Sequence, residues 1–421
     1  MIRSLPIHLA GFLATAGILS AQTPQPVVVH ELPPLFQASQ ALPPGLFAGP
    51  HHRVRELAQG DGYLVHFTVD SDYGTFECVG LRDLQRRVRE IEAIASLVAV
   101  SKSDLFAEGM KKSVEAPIEA VKRIVQKPGE SVAQVPHTVG HFFSKIGSGI
   151  GNAARRASEG SSSGTGSSSR NVGKGIGGAV LSIAGFDKAR LDCARQLGID
   201  PYTDNPRLQE EIEKVTWAFF AGGLPLKVGV TVASAGASRA LMATEVVGLP
   251  EDIYDVTPSE LEFRDRKALE AMGIAPARID AVLANPNLSI TVRHRMVQSL
   301  TRLNVAGRAE IVEVMAACDT IWRAHFLRDG LHLLEVRHAA RPYQACRVYG
   351  RLAVGQLADG TVEVPAPVDY VAWTPEMAAF ASRDDLVQFP RRLILDGQLS
   401  QRTTTELGAA GWEIVPFRTA R

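Results

Sequence analysis

Polar and apolar positions alternate with a period of two between Val54 and Val79. Tyr63, Val65, Phe67 and Val69 fall on one side, and Ser71-Asp72-Tyr73-Gly74 supplies turn chemistry. Val54, Glu56, Gly62 to Val69 and Gly74 to Val79 therefore predict strands of a meander. At Leu81 the period becomes helical and holds to about Val100. Leu84, Val88, Ile91, Ala95 and Val98 form the apolar stripe, and Arg86, Arg87, Arg89, Glu90 and Glu92 take the other face. This helix is expected to cover one face of the meander. Ahead of both, Gln22 to Pro50 is rich in proline with little period and reads as an extended arm.

From Pro117 to Ser148 the apolar positions return loosely every eleven residues. Pro117, Pro128 and Val139 share one phase, Val121, Val132 and Phe143 a second, and Ile124, Val135 and Ile146 a third. Eleven residues make three helical turns, so these side chains and the adjacent Phe142 can line one stripe. Lys111, Lys112, Lys122, Arg123, Lys127 and Lys145 ring it, and eight basic residues against four acidic ones between 106 and 156 leave about +4. Pro117 and Pro128 interrupt any single rod, so short amphipathic segments joined by kinks are expected. Such a stripe suits an anionic membrane surface or an envelope protein as partner, with Val121, Ile124, Val132, Val135, Phe142, Phe143 and Ile146 as the apolar contacts and Lys122, Arg123, Lys127 and Lys145 as the basic ones. The same pattern also fits segments that pack on the protein's own core.

Residues 157–178 read as a flexible linker, with Ser161-Ser162-Ser163-Gly164-Thr165-Gly166-Ser167-Ser168-Ser169 at their centre. Gly173-Lys174-Gly175-Ile176-Gly177-Gly178 has the GxGxxG spacing, but a serine-rich tether precedes it where a dinucleotide site needs a strand. Beyond the linker the period is helical again to about Ala340. Asp187 to Leu197 stops at Gly198, a helix begins at Asn205-Pro206, Thr257-Pro258-Ser259-Glu260 is a capping box, and Pro276 to Ala284 and Ser289 to Leu303 follow. One long helix is expected from Gly307 through Leu333.

The final stretch returns to strands. Arg347 to Val354 and Thr361 to Val364 predict a hairpin around Ala358-Asp359-Gly360. Val368 to Trp373, a helix from Thr374-Pro375, Arg392 to Leu395 ending at Asp396-Gly397, a helix from Ser400 to Ala410 and Trp412 to Val415 predict a small parallel or mixed sheet. The fold class that follows is multidomain α+β, with an N-terminal strand meander with helices, a mainly helical middle region and a small C-terminal α/β unit. Its expected divisions are a leader over 1–21, the arm over 22–50, an α+β unit over 51–105, amphipathic segments over 106–156, the linker over 157–178, a helical domain over 179–340 and the α/β unit over 341–421.

Composition narrows the function classes. With 421 residues, 45% hydrophobic, the chain can build several cores. Lys plus Arg equals Asp plus Glu at 45 each, so no global field favours nucleic acid. Arg3 ahead of the apolar run Leu5 to Leu19, with small residues after it, reads as a secretory signal peptide cleaved after Ala21 or Ala16. The mature protein is expected to be periplasmic or associated with the cell envelope of a bacterium. Cys78, Cys193, Cys318 and Cys346 make no CxxC. They read as buried small hydrophobes, with a Cys318–Cys346 bridge as the alternative.

Catalytic candidates are few. Open α/β sheets bind ligands beyond the carboxyl ends of their strands, which points to Asp396, Thr374 and Ser400. Thr374 and Ser400 also read as helix N-caps, Asp396-Gly397 also reads as a turn, and the terminal region shows no second carboxylate or histidine for a site. His325 and His332 share a helix face, with His338, Asp319 and Glu335 nearby, but no HExxH is present and no metal or cofactor is expected. Asp70-Ser71-Asp72-Tyr73-Gly74 lacks the later ligands of a calcium loop and reads as a hairpin turn.

Asp72-Tyr73-Gly74-Thr75-Phe76, Arg87-Val88-Arg89-Glu90-Ile91-Glu92 and Gly198-Ile199-Asp200-Pro201-Tyr202-Thr203-Asp204-Asn205-Pro206 resemble segments of a group of exported bacterial proteins of unknown function. The resemblance implies export and no particular activity. The functional expectation is an exported envelope protein that associates with a membrane surface or envelope partners. The alternative is a hydrolase or other ligand-binding enzyme with its site at the C-terminal sheet edge.

Overall fold

In the computed structural model, residues 30–115, 185–225, 249–250 and 252–417 are described. They form an α+β molecule with a strand meander first, helices in the middle and a mixed sheet at the end. The leader, the linker, the GxGxxG run and the whole of the eleven-residue repeat lie outside the described residues.

The meander comprises β1 (Leu35–Gln37), β2 (His52–Val54), β3 (Leu57–Gly60), β4 (Val65–Ser71) and β5 (Gly74–Val79). Antiparallel β4 is its spine, pairing β5 on one side and both β2 and β3 on the other, with β1 outside β3. Alternate residues Val65, Phe67 and Val69 point inward, where Leu84, Val88 and Ile91 of the Leu81–Ser101 helix cover them. The Ser71 to Gly74 segment is a hairpin turn, closed by the Ser71 hydroxyl donating to the Gly74 carbonyl at 2.7 Å. Its Asp70 and Asp72 carboxylates pair with Arg55 and His51.

The arm is not extended throughout. After β1 come two single-turn helices, Ala38–Ala41 and Pro44–Phe47, which bury Ala38 and Leu46, and Leu42 between them is also buried in the meander core. Of the prolines that suggested irregular chain, Pro44 stands at the first position of a helix, where its missing N–H costs nothing.

Middle helices occupy residues 185–197, Pro206–Ala221, Pro258–Ala271, Pro276–Leu283, Ile290–Leu303, Arg308–Ala316 and Ile321–Ala340. The side chains of Asn205, Thr257, Ser289 and Thr320 each accept a backbone N–H of the turn they start. The single long helix expected from Gly307 is two helices. The chain breaks at 317–320 because the Asn285 and Asn287 amides donate to the Cys318 carbonyl at 2.9 and 3.1 Å, and Thr320 then caps the new helix.

In the C-terminal sheet the order is β10-β9-β8-β7-β6, from β6 (Ala345–Tyr349), β7 (Leu352–Gln356), β8 (Val362–Val371), β9 (Arg391–Leu399) and β10 (Trp412–Pro416). β8, β9 and β10 run parallel, and β6 and β7 are antiparallel additions. The strand expected over Arg347 to Val354 turns back at Gly350, whose φ of +67° suits glycine, so β6 and β7 form their own hairpin. All four cysteines are free and buried.

Candidate functional site

The N-terminal helix, the last middle helix and the C-terminal sheet converge on one cleft of about 340 Å³. Its floor is a β-bulge. The β8/β9 register shifts between Pro367 and Tyr370, while β9 continues straight through Asp396-Gly397 to Leu399. Gly397, at φ +154°, lies so close to β8 that a Cβ there would sit 2.1 Å from the Val368 carbonyl oxygen. Asp396-Gly397 is thus a strand pressed against a bulge, not the turn its dipeptide suggested.

The bulge releases Asp369 from the ladder. Its carboxylate accepts the backbone N–H of Val65 at 2.9 Å and of Leu81 at 3.1 Å, tying the sheet to β4 and to the first turn of the Leu81–Ser101 helix. Burial pushes the Asp369 carboxyl up, and the two N–H bonds work against that rise. One residue into the same helix, Arg82 bridges Asp329 at 3.2 Å and also pairs with Asp396. Arg328 holds the same Asp329 at 2.8 Å. Burial opposes ionisation of Asp329, yet Arg328 and Arg82 keep its carboxyl below the usual range.

The charged side of the Leu81–Ser101 helix is substantially covered. Arg87 and Glu90 are buried, with Arg87 donating to Glu90 at 2.6 Å. Glu90 also accepts the Thr203 hydroxyl and the Asn205 amide, the latter at 2.9 Å, and Arg86 donates to Asp204 at 2.6 Å. Two of the sequence segments singled out above, around Glu90 and around Asp204, therefore pack on each other. Burial disfavours the charged form of Asp204, but Arg86 and Arg87 bring it to about 2.

Asp200 and His325 are displaced in opposite directions. The Asp200 carboxylate accepts the Thr291 hydroxyl at 2.6 Å and the Tyr202 N–H at 2.8 Å, and burial pushes it up to about 6 against those bonds. Burial, with Arg328 and Arg86 alongside, pulls the His325 imidazole down to about 3. The Trp322 and His325 rings meet edge to face, their centroids 6.1 Å apart. Among the described residues neither nitrogen of His325 has a hydrogen-bond partner, and the same holds for the Trp322 indole N–H and the side-chain amides of Gln85 and Gln398. All four residues line the cleft.

Of the expected catalytic residues, the structure places only Asp396 there, at the rim and paired with Arg82. Thr374 and Ser400 are N-caps, accepting the Met377 N–H at 3.3 Å and the Thr403 N–H at 2.9 Å. The expectation of no second carboxylate in the terminal region is corrected by Asp369. Its only advance signal was a charge inside the apolar run from Val368 to Trp373. His325 lies in the cleft, whereas His332 faces Arg295 at 2.7 Å and His338 accepts the Tyr343 N–H at 3.0 Å. No group of three or more His, Cys, Asp or Glu among the described residues is placed to hold a metal ion.

Val121, Lys122, Arg123, Ile124, Lys127, Val132, Val135, Phe142, Phe143, Lys145 and Ile146 lie outside the described residues. The described start of that region packs inward. Phe106 and Met110, on the helix Asp104–Glu115, join the core built on Pro206–Ala221, with the Lys214 ammonium 5.9 Å from the Phe106 ring centre. Another hollow, of about 530 Å³, ends at Pro225, where the described residues stop, and supports no site. Among the described residues no helix is long and apolar enough to cross a membrane. No protein-family model, curated protein or solved structure matches the chain.

Proposed function

We propose that this chain is an exported ligand-binding protein whose site is the cleft above the β8/β9 bulge. The observation that carries the reading is the convergence of polar groups without a hydrogen-bond partner among the described residues, His325, Trp322, Gln85 and Gln398, in a cavity where Arg82, Arg86 and Arg328 are paired with carboxylates. These groups are half-buried or exposed, so water now satisfies them, and a pocket with a few convergent polar groups is where a small molecule that replaces that water becomes oriented. Thermal unfolding across a small-molecule panel tests this. A ligand at a hundred times its Kd stabilises by about 2.7 kcal/mol, and the gain should shrink in Gln398→Ala. A panel without any shift, or a shift that Gln398→Ala leaves intact, removes the reading.

A second reading, hydrolase chemistry at the same cleft, is favoured by Asp200, whose carboxyl near 6 can exchange a proton at neutral pH. Its test is a rate that bends near pH 6 and loses that bend in Asp200→Asn. Export is supported by the leader, and association with a membrane surface or envelope partner by the eleven-residue pattern. Flotation with anionic vesicles, with and without residues 117–156, which leaves the core residues Phe106 and Met110 in place, tests the membrane arm. Equal flotation removes it.

A further inference from the structure

We infer that the cleft takes a neutral, hydroxyl-rich ligand, such as a sugar ring or a short oligosaccharide. This rests on the cleft being a binding site, and it names the class of ligand from the groups left over once the ion pairs and hydrogen bonds of the cleft are assigned.

Guanidinium groups come first. Arg82 bridges Asp329 and Asp396, Arg86 holds Asp83 and Asp204, Arg328 holds Asp329, and Arg89 is not without a partner. An anionic ligand at Arg82, Arg86 or Arg328 would have to draw that guanidinium away from its carboxylate. The buried Asp329 would then lose part of its compensation, and breaking a buried pair costs more than forming it returns. The carboxylates are committed as well. Asp200 accepts a hydroxyl and an N–H, Asp369 accepts two N–H groups, and the others face arginine. A cation finds no idle partner.

What remains is neutral. The imidazole of His325 donates at one nitrogen and accepts at the other, each glutamine amide does both, and the Trp322 indole donates. Burial and the neighbouring guanidiniums keep that imidazole uncharged well below neutral pH. Hydroxyl groups, which both donate and accept, are the complement of such a set. Trp322 and Phe326 add apolar ring surface beside it, where the C–H face of a sugar ring loses water on contact. A cavity of about 340 Å³ suits one or two such rings.

Titration calorimetry with a panel of neutral mono-, di- and trisaccharides, set beside trigalacturonate and glucose 6-phosphate, tests the class. A neutral saccharide should bind at least about tenfold more tightly than either anion. Its Kd should change little between about 50 and 500 mM salt, because no ion pair is exchanged. Trp322→Ala and Gln398→Ala should each weaken it about tenfold, and Gln398, exposed at the rim, gives a variant whose melt is unchanged. Tighter binding of an anion, with steep salt dependence and loss in Gln398→Ala, overturns the neutral class while leaving the cleft as a site. If neither neutral nor anionic probes bind, the class falls together with the binding reading.

Discussion

The Asp369 carboxylate accepts the Leu81 backbone N–H across 288 positions of sequence. One carboxylate thereby serves as the anchor of the Leu81–Ser101 helix start and as the tie between sheet and meander. Asp369→Ala leaves the N–H groups of Val65 and Leu81 without their acceptor and should cost about 2–3 kcal/mol in urea unfolding, with Asp369→Asn recovering part of it. A loss under about 0.5 kcal/mol would mean that water replaces the carboxylate without penalty.

Arg82 and Asp396 differ in what they leave behind. Removing the arginine strips one partner from the buried Asp329, so Arg82→Gln should cost about 1–2 kcal/mol. Asp396 stands at the rim, and Asp396→Asn should cost about 0.5 kcal/mol, as partly exposed pairs do. The order matters more than the values. Equal losses in equilibrium unfolding would contradict the placement of Asp396 at the edge of the cleft.

Stability should depend on pH with two opposed contributions. Asp200 titrates near 6 when folded and near the ordinary carboxylate value, about 4, when unfolded. As pH rises from about 4 to 6 the unfolded chain releases this proton first, so stability falls, and the penalty stays constant above 6. Asp200→Asn, which keeps an acceptor for Thr291 and Tyr202, should therefore be more stable than the parent at pH 8 by about 1 kcal/mol, the gap closing below pH 4. His325 acts in the other sense. Its folded value near 3 lies under the ordinary 6.5, so the unfolded chain takes up the proton first as pH falls, and acid destabilises. His325→Gln should flatten the acid limb of the melting curve between about pH 6 and pH 3.

Near the beginning of the described chain, Glu31 fastens the arm to the far end of the fold. Its carboxylate accepts the Trp373 N–H at 2.6 Å and the Ser400 hydroxyl at 2.5 Å. Glu31→Ala should free the arm and speed exchange of the Trp373 amide about tenfold, a local loss of about 1.4 kcal/mol. Unchanged exchange at Trp373 would show that burial alone protects it.

Local features were legible before the fold was known. Asn205, Thr257, Ser289, Thr374 and Ser400 all cap helices, because a cap is decided by residues three positions apart. The α+β class and the mixed terminal sheet followed from periods of two and 3.6. The cleft did not, since its partners are remote. Arg86 and Asp204 are 118 positions apart and Arg82 and Asp396 314, and a charge every fourth residue looks the same whether it meets water or a buried carboxylate. Asp369 was hidden for another reason. A bulge depends on the register between two strands, which neither strand carries alone.

Amide hydrogen exchange of the protein, with and without a saturating neutral saccharide, tests the central claim most directly. Slowed exchange should fall together on residues 79–86, 322–329, 367–369 and 396–398, the three walls of one cleft. Bound ligand with protection confined to other parts of the chain, or with no protection at those walls, would contradict the cleft as the binding site.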